Sequence, residues 1–179
     1  GSEMCIRDRY RGNFIESLEY FRKNSLGDGD SMLYAFPERM AERRNQWYFD
    51  LKKEVPAAIY KSSVKEKIRA FRKIIKENGV DTVHTHFTDM KTDMCVNIAC
   101  LGLRVKKFKH YRSSFGSFGT IKKFFARLCY RSWNAVICVS PHIMREAESN
   151  IVSCKPVLLN DAVYFPVSYT HLTLPTKLE

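Results

Sequence analysis

Residues 80–87 read VDTVHTHF. β-Branched and aromatic side chains dominate this stretch and Gly79 stands just before it, so it predicts a strand. Its flanks decide the fold class. Upstream, Val64, Ile68, Phe71 and Ile75 recur at the spacing of one helix face, with Ser62 or Ser63 placed to cap the helix and Gly79 to stop it. Downstream, Asp89 to Leu101 predicts a helix carrying Met94, Ile98 and Leu101, and Val105 to Arg112 predicts a strand that ends at SSFGSFG. Ile121, Phe124, Phe125 and Leu128 form a further helical stripe. Ala135 to Val139 predicts a strand, Ser140-Pro141 a capped helix start running to about Glu148, and Pro156 to Leu159 a last strand. Ser31 to Phe36 and Val55 to Tyr60 are earlier strand candidates. Strand and helix alternate from about residue 55. Parallel strands with helical crossovers follow, an α/β, Rossmann-like, doubly wound, mainly parallel sheet. In such a sheet ligands bind outside the carboxyl ends of the strands.

The chain has 179 residues, 45% of them hydrophobic and 27% charged, which suits one domain with a packed core and excludes a disordered chain. No apolar run approaches the ~18 residues of a membrane span, and no segment has the layout of a secretory signal. Six cysteines show no C-x-x-C spacing, so free thiols in a reducing, cytoplasmic setting are expected. The net charge of +11 points to an anionic partner: nucleic acid, a membrane surface or a phosphorylated substrate.

Both ends read as foreign to the fold. A DNA word encoding Met4 to Asp8 and running into Arg9 has a reverse complement that encodes Pro166 to His171, and the word resembles a transposon end used as a sequencing adapter. Gly1-Ser2 resembles a tag scar and Leu178-Glu179 a vector junction. Residues 1–9 and 166–179 are therefore expected to be tag- and adapter-derived, and 10–165 to be the natural domain, truncated. The terminal segments hold as many basic as acidic residues, so the charge of +11 stays with the domain.

The chemistry-bearing candidates cluster at strand ends. His84 and His86 are two apart, hence on one side of a strand. As a zinc pair they lack an evident third ligand, so no metal is expected; they read as satisfied core histidines or as substrate contacts. His110 is followed by Tyr111, Arg112, Ser113 and Ser114, a set suited to an anionic, hydroxyl-bearing ligand or else to a solvated loop. Gly12-Asn13 precedes a helix predicted from Phe14, Leu18 and Phe21, where a phosphate could approach free N–H groups. There is no G-x-G-x-x-G and no P-loop. The stripe on the 120–133 helix reads first as a core face with Lys122, Lys123, Arg127 and Arg131 as its solvated side, and second as a membrane-surface helix. No nucleic-acid reading motif is present, which argues against that partner.

The order VDTVHTHF, KKFKHYRSS, WNAVICVSPHIMREA, PVLLNDAV resembles the N-terminal acceptor domain of GT-B-fold glycosyltransferases of family 4, over about residues 62 to 163 and more loosely 11 to 60. The resemblance implies sugar transfer from a nucleotide sugar to a polysaccharide or lipid-linked acceptor, with retention, without a required metal or other cofactor. By position, His110 resembles the cleft histidine near the reacting sugar, Gly12 the glycine loop near the donor phosphates, and Ser140 the serine that opens its helix. With His86, Asn13, Arg112 and Ser113 as further acceptor or phosphate contacts, these are the expected site residues. Asn160-Asp161-Ala162-Val163 departs from the family's N-G-V-D. The resemblance also implies a missing donor domain, hence no transfer by this chain alone, and a cytoplasmic location, peripheral at the inner face of the plasma membrane as the outer case. The family's first strand should precede Tyr10, where adapter-like sequence stands. The slot must then be filled by Met4-Cys5-Ile6 as a substitute strand, or pair with a second molecule into a dimer or aggregate.

Overall fold

The computed structural model describes residues 2–7, 22, 24, 27–39, 53, 57–86, 88–112, 119–151 and 154–159. Gly12, Asn13, Ser113, Asn160-Asp161, the helix predicted from Phe14 and most of the 37–53 segment lie outside them.

The described strands are β1 (Ser2–Arg7), β2 (Ser31–Pro37), β3 (Ala57–Tyr60), β4 (Thr82–His86), β5 (Lys106–Tyr111), β6 (Ala135–Cys138) and β7 (Pro156–Leu158). The described helices are α1 (Val64–Glu77), α2 (Met90–Ala99), α3 (Thr120–Tyr130) and α4 (Pro141–Asn150). All seven strands pair in parallel in the order β3-β2-β1-β4-β5-β6-β7. The chain winds outward from β1 in both directions, so the order reverses between β1 and β4, the place where such sheets open a ligand crevice.

The helix boundaries follow from local chemistry. Ser63 Oγ accepts the Glu66 N–H at 3.3 Å and donates to its carboxylate at 2.7 Å, opening α1. Asp89 accepts the Thr92 N–H at 2.8 Å and opens α2. Gly79 follows α1 with a φ of 59°, a left-handed conformation that glycine adopts without strain. Phe71, Ile74 and Ile75 of α1 are buried in one hydrophobic cluster with Val83 of β4 and Val96 and Ala99 of α2. The described cysteines, 95, 100, 129, 138 and 154, are free, as the spacing predicted. Among the described residues no helix is long and apolar enough to cross a membrane.

One expectation is resolved and one changes. The first concerns the slot beside β4. Ser2–Arg7 is the central strand: Met4 pairs with Leu33 on one side and Val83 on the other, and Ile6 with Ala35 and Thr85. The slot between β2 and β4 is thus filled from within the chain, as the substitute-strand alternative required. The remaining edges, β3 and β7, are only four and three residues long, which limits edge-to-edge pairing.

The second concerns α3. Its stripe does not face the core: Ile121 is 75%, Phe124 64% and Leu128 56% exposed, and Phe125 is also exposed. Ala126, Cys129 and Tyr130 are the buried residues. Periodicity identified the helix correctly but assigned the wrong face, because the inward face is held by small and hydrogen-bonding side chains rather than by the greasiest ones.

A strand paired on both sides cannot lose a backbone donor cheaply. Replacing Cys5 by proline removes one ladder N–H in the middle of the sheet and strands its acceptor, at about 1–3 kcal/mol for the unpaired group before any steric cost. Cys5→Pro should lower the urea midpoint markedly; an unchanged midpoint would show that residues 2–7 do not hold this position in solution.

Candidate functional site

Three histidines meet at the carboxyl ends of β4 and β5, beside the β1–β4 reversal. His84 and His86 lie on one face of β4 by strand alternation, with ring centroids 4.1 Å apart. His86 is the register partner of His110 on β5. The His110 ring stacks against His84 at 5.5 Å and tilts against His86 at 5.2 Å. His86 and His110 are buried and His84 half-buried. Burial, reinforced by the charges of Arg112, His84 and Lys109, pushes the His110 imidazole down to about 3. It is therefore neutral at physiological pH, able to accept or donate a hydrogen bond but not to act as a cation. Arg112 follows the strand directly and is half-buried.

The opposite face of β5 holds a second polar cluster. Lys109 Nζ lies 2.8 Å from Asp93 Oδ2, with both side chains at 1% exposure or less. Lys109 also donates to the Thr88 carbonyl at 2.7 Å and to its hydroxyl. Thr88 Oγ1 donates to Asp93 Oδ1 at 2.6 Å, Tyr130 OH donates to Asp93 Oδ2 at 2.5 Å, and Tyr111 OH lies 3.0 Å from Tyr130 OH. Burial and the Asp93 charge raise both tyrosine hydroxyls well above their ordinary range, so they stay protonated donors. Two residues earlier on the same strand and face, Lys107 Nζ donates to Asn97 Oδ1 at 2.8 Å and Ser132 Oγ at 2.7 Å, and burial lowers its ammonium below the usual lysine range. These groups tie α2, α3 and β5 together. These bonds join buried groups of β5, α2 and α3 to one another, so the network reads as scaffold rather than as a reaction centre.

The expected site residues divide accordingly. The structure brings His86 and His110 together and adds His84, which the sequence pairs only with His86. The meeting of His110 with the β4 pair is invisible to sequence spacing because His110 comes from the neighbouring strand, 24 residues after His86, through the β4–β5 register. Ser140 sits at the carboxyl end of β6, but its hydroxyl accepts the Ile143 N–H at 3.3 Å and serves as the cap of α4. Gly12, Asn13 and Ser113 lie outside the described residues. Two hollows formed by described residues open beside α3. One, of about 350 Å³, is lined by Met94, Ile98, Leu101, Lys107 and Leu128, away from the histidines. Lys109 and Asp93 were not anticipated. The available signal was KKFKHY itself: two lysines alternating inside a strand that must be covered on both faces demand buried partners.

No protein-family model matches the chain, and no curated protein matches its sequence. Its backbone does have solved likenesses. A glycosyltransferase from Rickettsia africae superimposes with a TM-score of 0.66 at 15% identity, over 89% of this chain and 42% of the other. Anabaena HepE, solved with UDP and glucose, gives 0.56 at 12% identity over 87% and 44%. Acinetobacter baumannii MurG gives 0.52 at 11% identity over 80% and 42%. The fold is one Rossmann-like half of a GT-B structure. The chain spans somewhat under half the length of these proteins, and the GT-B half it represents carries its histidine cluster at the strand ends next to the reversal.

The buried ion pair gives a sharp test of the scaffold. Lys109→Met or Asp93→Asn leaves the other partner buried without its charge and should each cost about 3–5 kcal/mol in urea unfolding. The double variant should cost clearly less than the two single losses combined, because the pair acts as a unit. Strict additivity would show that the two groups do not interact.

Proposed function

We propose that the chain is the acceptor-side half of a retaining family 4 glycosyltransferase that moves a sugar from a nucleotide sugar to a polysaccharide or lipid-linked acceptor. The observation that carries this reading is the neutral, buried His110 at the carboxyl end of β5, beside the sheet reversal, in a GT-B half. A neutral imidazole can hold a sugar hydroxyl by one hydrogen bond, orienting it without adding charge to the cleft. Arg112, directly after it, is suited to an anionic group of donor or acceptor. Departure of a nucleoside diphosphate calls for cationic groups and helix N-termini at the developing charge. In this reading most of those belong to the donor half, with Gly12, Asn13 and Ser113 as contributions from this one.

The 179-residue chain alone should therefore turn over no nucleotide sugar. In the longer protein that joins it to a donor half, His110→Ala should lower kcat/KM by about 100-fold or more, the scale of a lost positioning or proton-handling group, with little change in Tm. Turnover by the chain alone, or full activity of the His110→Ala enzyme, would overturn the assignment.

The outward stripe of α3 favours an anionic lipid surface as the place of work. Ile121, Phe124, Phe125 and Leu128 are exposed, and Leu101 is 66% exposed beside Leu128 across the neighbouring hollow. Lys122, Lys123, Arg127 and Arg131 share the helix and the turn after it. Aliphatic and phenyl groups ringed by cations match an acyl boundary under anionic headgroups better than the polar face of a nucleic acid. The chain should float with vesicles containing phosphatidylglycerol and remain behind with pure phosphatidylcholine, and Phe124→Ser with Leu128→Ser should abolish flotation. Equal recovery with both lipids, or flotation of the double variant, would refute the surface.

A further inference from the structure

The three imidazoles invite a reading that goes beyond sugar transfer and does not depend on it. Three imidazoles from two neighbouring strands pack against one another here. Strand alternation puts His84 and His86 on one face, and the parallel register sets His110 next to His86. One ring nitrogen from each of the three lies within 4.8 Å of the other two. A tetrahedral ion with bonds of about 2.0–2.1 Å holds its ligand nitrogens roughly 3.3 Å apart. Metal binding would close that difference by ring rotations about the side-chain torsions, with the three Cα positions fixed in advance by the paired strands.

We propose that His84, His86 and His110 form a three-histidine site for a divalent transition-metal ion. The donor set selects the class. Three imidazole nitrogens, with no carboxylate or thiolate joining the cluster among the described residues, suit Zn²⁺, Co²⁺, Ni²⁺ or Cu²⁺ and not the oxygen-seeking Mg²⁺ or Ca²⁺. Three protein ligands leave a fourth position for water or for a hydroxyl or phosphate oxygen of a bound molecule, the pattern of an open rather than a closed zinc site. The Arg112 guanidinium near His110 opposes a dication and favours an anionic fourth ligand, so phosphate should strengthen metal binding. The site is rigid because β4 and β5 are interior strands, each paired on both sides.

The test uses the full 179-residue chain freed of metal, and Co²⁺ or Zn²⁺ alone. Co²⁺ should bind one per chain and produce the visible absorption of a tetrahedral nitrogen site, and Zn²⁺ should displace it. Zn²⁺ should raise the Tm, since an ion bound only by the folded state stabilises it. His84→Asn and His110→Asn should each weaken binding at least about tenfold and remove the Zn²⁺-dependent rise in Tm, whereas replacing the exposed His142 by alanine should change neither. Where an asparagine variant fails to fold, imidazole nitrogen NMR of the unaltered chain decides instead: Zn²⁺ must shift the ring signals of these three histidines together. No Co²⁺ band, no rise in Tm at a large excess of Zn²⁺, unshifted ring signals, or binding retained in the His84→Asn, His110→Asn double variant would each overturn the proposal.

Discussion

The contact between Lys109 and Asp93 ties the sheet to the helices that cover it. A lysine in the interior strand β5 has no route to water, so its charge is tolerated only because Asp93 of α2 lies 2.8 Å away and Thr88 supplies further acceptors. That carboxylate in turn fixes Tyr130 of α3 through its hydroxyl, and Tyr130 reaches Tyr111 back on β5. One charge pair therefore sets the seating of two helices on one sheet face. Such a pair contributes less net stability than a hydrophobic replacement of equal shape, but breaking half of it is expensive. It acts as a registration device: α2 and α3 sit well only where these hydrogen bonds form together.

This arrangement accounts for the unusual orientation of α3. The helix turns Tyr130, Ala126 and Cys129 inward, since only these let its backbone and the tyrosine hydroxyl approach Asp93. Its largest apolar residues are consequently left on the outside. Exposure of this size at contiguous positions is uncommon in a monomer without an interaction surface, and the basic residues on the same helix give that surface its sign.

The two faces of β5 divide the labour. Lys107 and Lys109 point to the helices and stitch the scaffold. Phe108 and His110 point to the other face, where His110 meets His84 and His86. The histidines lie at the strand ends nearest the β1–β4 reversal, so the feature that places them is the sheet order, with β1 in its centre. The strand that fills that centre is Ser2–Arg7, and the neighbouring strands β2 and β4 are each paired to it along most of its length. Backbone hydrogen bonding there tolerates varied side chains, which is why so polar and irregular a segment can serve.

The sequence by itself determined the order of elements from residue 57 onward. Ser63, Asp89, Ser140-Pro141 and Gly79 punctuate the chain through local hydrogen bonding and backbone preference, and local effects are readable without tertiary knowledge. It also determined the parallel, doubly wound class, because helices alternating with short strands leave few other ways to pack, and it placed His86 and His110 at strand ends. Only the tertiary structure decided which face of α3 points inward, since a period of 3.6 residues locates a stripe but says nothing of what opposes it. Only the tertiary structure decided that the slot beside β4 is filled by residues 2–7, because strand pairing is set by backbone groups that every residue carries. It alone joined His110 to His84 and His86, and Lys109 to Asp93, since those meetings depend on cross-strand register and helix docking between positions far apart in the chain, where no local preference reaches.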